Sequence, residues 1–223
     1  EVRRLADAVL RDRERVHVLV NNAGLGSGPD FQKREISADG HELRFAVNYL
    51  AGFLLTHLLL PAILKAAPAR IVNVSSLGQQ AIDFDDVMLT RGYDGGRAYR
   101  QSKLAQILFT IDLAQELAGR NVTVNCLHPA TFMDTTMVRQ TGTTPISRVD
   151  QGADAVMNLI VSGALAGRSG LFFNGLEESH ANEQAYDAEA RRKLRDLSRR
   201  LTGLTCPRQW RSSAKGERHA QAR

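Results

Sequence analysis

Residues 16–24 read Val-His-Val-Leu-Val-Asn-Asn-Ala-Gly, an apolar, β-branched run that ends in two asparagines and a glycine. Three further short runs of this kind lie at residues 70–74, 122–127 and 170–173. Because these runs are apolar at successive positions, they are typical of strands that are buried on both faces of a parallel sheet. The sequence therefore predicts a helix-covered sheet to which residues 16–20 contribute the first strand.

Segments with helical spacing separate the predicted strands. Apolar residues recur at helical intervals over residues 45–66, 97–118 and 149–161, and a further helix is predicted over residues 2–13. Residues 187–200 are acidic early and basic late, which favours a final amphipathic helix. Strands that alternate with helices predict an α/β fold with a doubly wound, Rossmann-like parallel sheet.

The first predicted strand has no predicted neighbour on its upstream side. So apolar a strand belongs in the middle of a sheet, yet only one helix precedes it. The dinucleotide-binding half of a doubly wound fold starts with a strand, a glycine-rich turn and a helix, and no such unit is present. We expect these first strand–helix units, roughly 60 residues, to lie upstream. Residues 1–204 are then the C-terminal part of one domain.

Charge and composition narrow the classes of protein. The formal net charge is +5, but residues 205–223 carry five basic residues against one acidic residue, so the remaining chain carries 5 − 4 = +1. This predicts a disordered basic tail and no nucleic-acid partner. Cys126 and Cys206 lack metal-ligand spacing, which indicates a reducing, cytoplasmic location. The apolar stretch at residues 51–64 is shorter than the ~20 residues of a membrane span, so we predict a core helix there.

Tyr99 and Lys103 stand four residues apart at the start of a predicted helix, and therefore on one of its faces. A cation within ~4–6 Å of a phenol lowers the tyrosine pKa from its usual value near 10 by ~1–3. Tyr99 could then serve as a general acid/base at neutral pH. A Tyr-x-x-x-Lys spacing arises by chance in this composition with a probability of ~0.09, so the pair needs support from other residues.

Other motifs supply that support, because they fall where predicted strands end. Asn-Asn-Ala-Gly at residues 21–24 follows the first strand, Ser75 and Ser76 end the second, and His-Pro-Ala-Thr at residues 128–131 follows the third. Tyr99 begins the helix after the next loop. The carboxyl ends of parallel strands meet at one edge of an open sheet, where ligands bind. The sequence therefore predicts a single site at this edge.

The order of these motifs resembles that of the short-chain dehydrogenase/reductase family. The resemblance adds Asn48 to the strand-end motifs and covers about residues 1–175. Ser-Ser-Leu-Gly and Tyr-x-Gln-Ser-Lys-Leu-Ala resemble the retinol dehydrogenase-like branch. The resemblance implies hydride transfer between NAD or NADP, with NADP favoured, and a small-molecule alcohol or carbonyl substrate. It also implies a homo-oligomer when the protein is full length.

The resemblance further implies a role for each matching residue. Tyr99 would exchange a proton with the substrate oxygen, and Lys103 would lower the tyrosine pKa and bind the nicotinamide ribose. Ser76 would hold the substrate oxygen, and Asn48 would anchor a water that links Lys103 to solvent. Tyr99 and Lys103 would thus also contact the cofactor. The remaining cofactor-binding residues would be Asn21, Ala23 and Gly24 on the adenosine side and Pro129 and Thr131 on the nicotinamide side.

Several residues receive structural interpretations instead. Ser75 is assigned to the turn and His128 to a structural role. The glycines at residues 24–28 precede Pro-Asp rather than a helix, so they predict a flexible loop and not a phosphate loop. Ala130 stands where the family usually has glycine. The long segment at residues 83–96 is expected to help shape the substrate pocket.

Two alternatives to an active oxidoreductase stay open. The first is a non-catalytic nucleotide-binding or scaffold protein, because a fold does not fix a function. The intact set of Asn48, Ser76, Tyr99 and Lys103 argues against it. The second is an inactive fragment of the enzyme, since the glycine-rich turn is missing. The sequence defines neither the substrate nor the choice between NAD and NADP.

Overall fold

The computed structural model describes residues 1–28 and 30–205. Its sheet has five strands in the order β1-β2-β3-β4-β5. The strands are β1 Val18–Asn21, β2 Ala69–Val74, β3 Val122–His128, β4 Phe172–Asn174 and β5 Glu177–Ser179. The first four pair in parallel, and β5 returns antiparallel to β4. The predicted Rossmann-like α/β fold is confirmed.

Helices connect the strands and cover the sheet. The α-helices of the described residues are α1 Val2–Asp12, α2 Ala51–Lys65, α3 Gly95–Glu116, α4 Thr136–Arg139, α5 Val149–Val161 and α6 Ala188–Thr202. A π-helical segment, Phe45–Leu50, leads directly into α2, and 3₁₀ turns cover Gly163–Leu165 and Glu183–Tyr186. The predicted basic tail lies outside the described residues except for its first residue, Thr205.

The sequence missed α4, β5 and the two 3₁₀ turns, and it did not distinguish the π-helical segment from the rest of the helix predicted over residues 45–66. β5 is the polar run Glu-Glu-Ser, which carries no apolar strand pattern. Strands β1 and β4 begin at Val18 and Phe172, each two residues after its predicted start. The third long helix begins at Gly95 rather than Arg97, because the Asp94 carboxylate accepts a hydrogen bond from the Arg97 backbone N–H at 2.6 Å and caps the helix.

The sheet divides the apolar side chains between two faces. Successive residues of a strand point to opposite sides, so Ile71 and Phe172 join α2, α3 and α6 in the larger core. Val72 and Phe173 lie on the other face, where they pack with residues of α5 in a smaller cluster. Because β1 to β3 are parallel and adjacent, their carboxyl ends meet at one edge, which carries the predicted site residues.

The apolar helix beside the site is a core element. The stretch Phe45–Lys65 has 21 residues and a mean hydropathy of 1.7, which by length and composition alone would allow it to cross a membrane. In this fold α2 packs against α1 and the sheet, and its side chains Phe53, Leu59 and Ile63 are buried. This packing agrees with the core helix predicted from the sequence.

Candidate active site

Tyr99 and Lys103 lie on one face of the first turns of α3, as their spacing predicts. The Lys103 Nζ atom lies 5.7 Å from the centroid of the Tyr99 ring. Ser76, at the end of β2, faces the same phenol, and its hydroxyl counteracts in part the effect of burial on the Tyr99 pKa. The second strand and the third helix thus bring a hydroxyl, a phenol and an ammonium together.

Lys103 is almost completely buried, with 4% of its surface exposed. Its Nζ atom donates hydrogen bonds to the Val74 carbonyl at 3.0 Å and to Gln106 Oε1 at 3.1 Å. Burial lowers the pKa of Lys103 from 10.5 to about 8, because the charged form loses hydration. The Lys103 amine is therefore mostly protonated at neutral pH, although its pKa of about 8 lies only slightly above that pH.

The expected lowering of the Tyr99 pKa is not found. Burial raises the pKa of Tyr99 above its ordinary value, and the Ser76 hydroxyl opposes that effect only partly. The physical reason is the direction of the Lys103 side chain, whose hydrogen bonds go to Val74 and Gln106 and not to the phenol oxygen. Tyr99 is consequently a protonated phenol at neutral pH, which is the form that can donate a proton.

The two neighbouring serines are used differently, as the sequence analysis anticipates. The Ser75 hydroxyl donates to the backbone carbonyl of Lys103 at 2.7 Å and so ties the end of β2 to α3. The Ser76 hydroxyl accepts a hydrogen bond from the Gly78 N–H at 3.0 Å. A Cβ atom added to Gly78 would lie 3.6 Å from Tyr99 Cε1, an ordinary van der Waals contact, so this glycine packs directly beside the tyrosine ring.

Asn48 lies in the π-helical segment and is buried. Its Oδ1 atom accepts from the Leu25 N–H at 2.6 Å, while its Nδ2 atom donates to the Leu25 carbonyl at 3.0 Å and to Ser102 Oγ at 2.9 Å. The side chain thus fixes the loop after β1 to α3. A local π-helix is frequent at functional sites because it re-aims backbone groups. The predicted role of Asn48 in holding a water stays a prediction.

Asn21, predicted on the cofactor side, turns its side chain into the fold. Its Nδ2 atom donates to Thr56 Oγ1 at 3.0 Å and to Asn73 Oδ1 at 2.8 Å. Asn73 in turn donates to Thr110 Oγ1 at 2.8 Å, so the network joins β1 and β2 to the helices α2 and α3. This structural use leaves the backbone of residue 21, rather than its amide, as the part that could face a cofactor.

The other predicted cofactor residues surround the same edge. Ala23 is exposed, and Gly24 lies close to two of the predicted site residues: an added Cβ would lie 3.3 Å from Asn48 Oδ1 and 3.5 Å from Lys103 Nζ. Pro129 is buried after β3, while Thr131 is exposed and its hydroxyl pairs with His128 Nε2 at 3.0 Å. The space that glycine leaves beside Lys103 is compatible with a nicotinamide ribose, so these residues fit the expected cofactor.

A buried cluster that the sequence analysis missed holds the loop after β1. Arg44 donates to the carbonyls of Gly26 at 3.0 Å and Ser27 at 2.5 Å, and to the Tyr93 hydroxyl at 2.7 Å. It also pairs with Glu42 at 3.6 Å. The loop predicted to be flexible is therefore held by side-chain hydrogen bonds. An acidic and a basic residue before an apolar helix carry no signal that would reveal this contact.

Comparison with known proteins agrees with the fold. The family described as "short chain dehydrogenase" matches residues 1–145 of the chain. Combined with the strand-end arrangement of Ser76, Tyr99 and Lys103, this match places the protein in a defined class. The chain belongs to the short-chain dehydrogenase family.

Within that family, human proteins of the retinol dehydrogenase group are similar. The chain is 39% identical to human retinol dehydrogenase 13, over 92% of this chain and 66% of that protein. It is 37% identical to human retinol dehydrogenase 14, over 91% of this chain and 63% of that protein. The chain thus spans slightly less than two thirds of the length of these curated relatives.

Solved structures show the same architecture. A crystal structure of an uncharacterized protein from Mycobacterium paratuberculosis matches with a TM-score of 0.72 and 29% identity, over 92% of this chain and 72% of that one. The Pseudomonas aeruginosa RhlG/NADP active-site complex matches with a TM-score of 0.59 and 26% identity, over 78% of this chain and 70% of that one.

Proposed function

We propose that the protein is an NAD(P)(H)-dependent oxidoreductase that interconverts an alcohol and a carbonyl compound. The observation that carries this proposal is the meeting of Tyr99, Ser76 and Lys103 at the carboxyl edge of the sheet. Their separation along the chain, with Ser76 two residues after β2 and the pair on α3, means that only the fold brings them together. Membership of the short-chain dehydrogenase family supports the same activity.

The state of each group suits proton transfer to a carbonyl oxygen. Because burial raises the pKa of Tyr99, the phenol holds its proton at neutral pH and acts as the general acid in reduction. Ser76 donates a hydrogen bond to the same substrate oxygen and orients it. The Lys103 ammonium stabilises the negative charge left on the phenolate, since it lies within 5.7 Å of the ring.

The nicotinamide cofactor, when bound, supplies or accepts the hydride. Gly24, Lys103 and the backbone at residues 129–131 are the parts of this chain that would hold its nicotinamide half. NADP is the proposed form, and the similar Pseudomonas structure with NADP supports that choice. A competition titration with NADH and NADPH, followed by protein fluorescence, would decide between the two forms.

The substrate is proposed to be apolar. Leu77 directly follows Ser76 and is 44% exposed, and Phe132 follows the Pro-Ala-Thr segment after β3 and is 49% exposed. Large apolar side chains that stay exposed beside a site commonly mark a binding surface. The relatives named as retinol dehydrogenases give an apolar alcohol as a model, so retinol and retinal are the first compounds to assay.

The test is the Tyr99→Phe variant, assayed by NADPH consumption with retinal. Loss of the phenol hydroxyl is expected to lower kcat by about 10²–10⁴-fold, the usual contribution of a general acid. Cofactor affinity, measured by fluorescence titration, should change little. Tyr186→Phe is the matched control, because the Tyr186 hydroxyl accepts from the Ala181 N–H and its ring stacks on His180, with no hydrogen bond to Ser76, Tyr99 or Lys103 in the described part of the chain. Retinal reduction that is equal in both variants would remove Tyr99 from the mechanism.

Three further expectations from the sequence remain predictions: a cytoplasmic location, a homo-oligomer of the full-length protein and a disordered tail. Size-exclusion chromatography with light scattering would measure the oligomeric state. Cell fractionation would determine the location.

A further inference from the structure

Gln106 is the one polar side chain that the structure gives Lys103 as a hydrogen-bond partner among the described residues. It lies three residues beyond Lys103 on α3 and is 3% exposed. Its Oε1 atom accepts from the Lys103 Nζ atom at 3.1 Å. The other partner of the ammonium is the Val74 backbone carbonyl at 3.0 Å, which no substitution at residue 74 removes.

The number of N–H donors on Lys103 determines what remains available beyond the contact with Gln106. An ammonium has three N–H donors and no acceptor. Val74 and Gln106 take two of them, which leaves one donor for the side of the site that holds Tyr99. The two contacts also hold Nζ at a fixed place above the tyrosine ring, 5.7 Å from its centroid. A flexible lysine side chain needs such contacts to keep a single geometry.

We propose that Gln106 is a positioning residue, which holds the Lys103 ammonium in place and in its charged form for proton transfer at Tyr99. This inference rests on the proposed function and extends it to a residue outside the Tyr-x-x-x-Lys motif. Gln106 acts through Lys103 and touches neither substrate nor cofactor in this assignment.

The charges around Lys103 explain why a neutral acceptor matters here. Tyr99 on the same helix is a protonated phenol, and His128 at the end of β3 is the titratable group that faces Lys103 from the sheet. Burial and the nearby Lys103 charge lower the pKa of His128, so it is neutral at physiological pH. Asn48 and Gly24, which approach from the loop after β1 and the π-helical segment, carry no charge. Hydrogen bonds to Val74 and Gln106 are therefore what favours the charged amine.

The sign of the pH effect follows from the acceptor. Removal of the Gln106 oxygen disfavours the ammonium, so the pKa of Lys103 should fall below its value of about 8. The energy of a hydrogen bond to a charged group corresponds to a movement of about one pH unit. As the pH rises, activity that needs the ammonium would then be lost at a lower pH in the variant than in the unmodified protein.

The direct test is an NMR titration of the protein labelled with ¹³C at lysine Cε. Lys103→Arg identifies the Lys103 signal. In Gln106→Met, which keeps the length but removes the oxygen, the titration midpoint should fall by about one pH unit. In Gln106→Glu, where the acceptor is charged, it should rise. Gln101→Met, which removes another buried glutamine of α3, should leave the midpoint unchanged because Gln101 pairs with the Ala81 carbonyl.

The outcomes decide the proposal. Opposite movements in Gln106→Met and Gln106→Glu support it, and unchanged midpoints in both overturn it. If Gln106→Met does not fold, Gln106→Glu alone tests the proposal. A Lys103 midpoint that fails to rise in Gln106→Glu would contradict the proposal. A movement of similar size in Gln101→Met would show a general effect of altered packing and would overturn the specific role.

A kinetic measurement separates this proposal from the proposed function. The pH profile of retinal reduction in Gln106→Met should lose its alkaline limb about one pH unit earlier than in the unmodified protein. If the unmodified protein shows no turnover while the NMR midpoints move as expected, the contact is established and the proposed function fails. If turnover occurs and neither the midpoint nor the profile moves, the function stands and the role of Gln106 fails.

Discussion

Two clusters of buried polar side chains differ in whether their charges are paired. In the loop cluster, which consists of Glu42, Arg44 and Tyr93, the carboxylate and the guanidinium are 1% and 4% exposed and pair with each other at 3.6 Å. In the lysine cluster, which consists of Lys103, Gln106 and the Val74 carbonyl, an equally buried cation has only neutral partners. The charges of the loop cluster are thus paired, whereas the positive charge of the lysine cluster has no countercharge among its partners.

This difference distinguishes a cluster that holds a loop in place from a cluster that could act on a ligand. Glu42 accepts from the Tyr93 hydroxyl at 3.0 Å and from the Phe45 N–H at 2.6 Å, so each charge of the loop cluster is paired and hydrogen-bonded. Such a group fixes a loop but has nothing left to offer a ligand. Lys103 has no countercharge among its hydrogen-bond partners, and its pKa falls to about 8 as a result of burial. A charge without a countercharge among its partners can still act on a ligand, as the proposed function requires.

Breaking the loop cluster should produce the largest change in stability. Arg44→Met leaves Glu42 as a buried charge without its ion-pair partner, and such a change costs about 3–5 kcal/mol of the free energy of unfolding. Urea unfolding monitored by circular dichroism measures it. Arg192→Met is the matched control, because the pair with Glu189 is half exposed and is worth less than about 1 kcal/mol. Similar losses in both variants would contradict the structural role of the loop cluster.

Removing the buried lysine should change stability in the other direction. The difference between a pKa of 10.5 and about 8 corresponds to roughly 3 kcal/mol against the folded state. Lys103→Met removes this cost but also leaves the Val74 carbonyl and Gln106 without their donor, at about 1 kcal/mol or more each, so a net gain of no more than about 1 kcal/mol at pH 7 is expected. The same variant should lose retinal reduction.

The pH dependence checks the origin of that gain. Below about pH 8 Lys103 is charged in both the folded and the unfolded chain, so the whole cost is present. Between about pH 8 and 10.5 only the unfolded chain keeps the proton, so the cost falls as the pH rises. The advantage of Lys103→Met in urea unfolding should therefore shrink from pH 7 to pH 10. An advantage that stays constant would assign it to packing instead.

The sequence predicts where functional groups lie better than it predicts what their atoms contact. Strand ends could be placed because a parallel sheet brings its carboxyl ends to one edge, and this located Ser76, Tyr99 and Lys103. The partners of Asn48 and Lys103 depend on how a loop and a helix pack, which no spacing specifies. Leu25 lies 23 residues from Asn48, and Val74 lies 29 residues from Lys103.

The loop after β1 shows the same limit. Glycines and the lack of a helix start favoured a flexible loop, and local rules could not indicate otherwise. The structure holds Gly26 and Ser27 through Arg44, 18 and 17 residues further along the chain. A paired guanidinium can replace the rigidity that glycine removes, but only tertiary structure reveals the pairing.

The smallest predicted effect concerns how the backbone of Lys103 is held. Ser75 donates to the Lys103 carbonyl at 2.7 Å, a neutral hydrogen bond between β2 and α3. Ser75→Ala should lower the free energy of unfolding by about 1 kcal/mol, because the helix N–H of the next turn still serves that carbonyl. Ser76→Ala, one residue later, should cost a similar amount, because its hydroxyl accepts from the Gly78 N–H at 3.0 Å, but it should also lower kcat. If Ser75→Ala reduced kcat as strongly as Ser76→Ala, the position of Lys103 would depend on the hydrogen bond to its backbone carbonyl as much as on Gln106. Ser75 could then no longer be separated, as a structural residue, from Ser76 as a residue of the reaction.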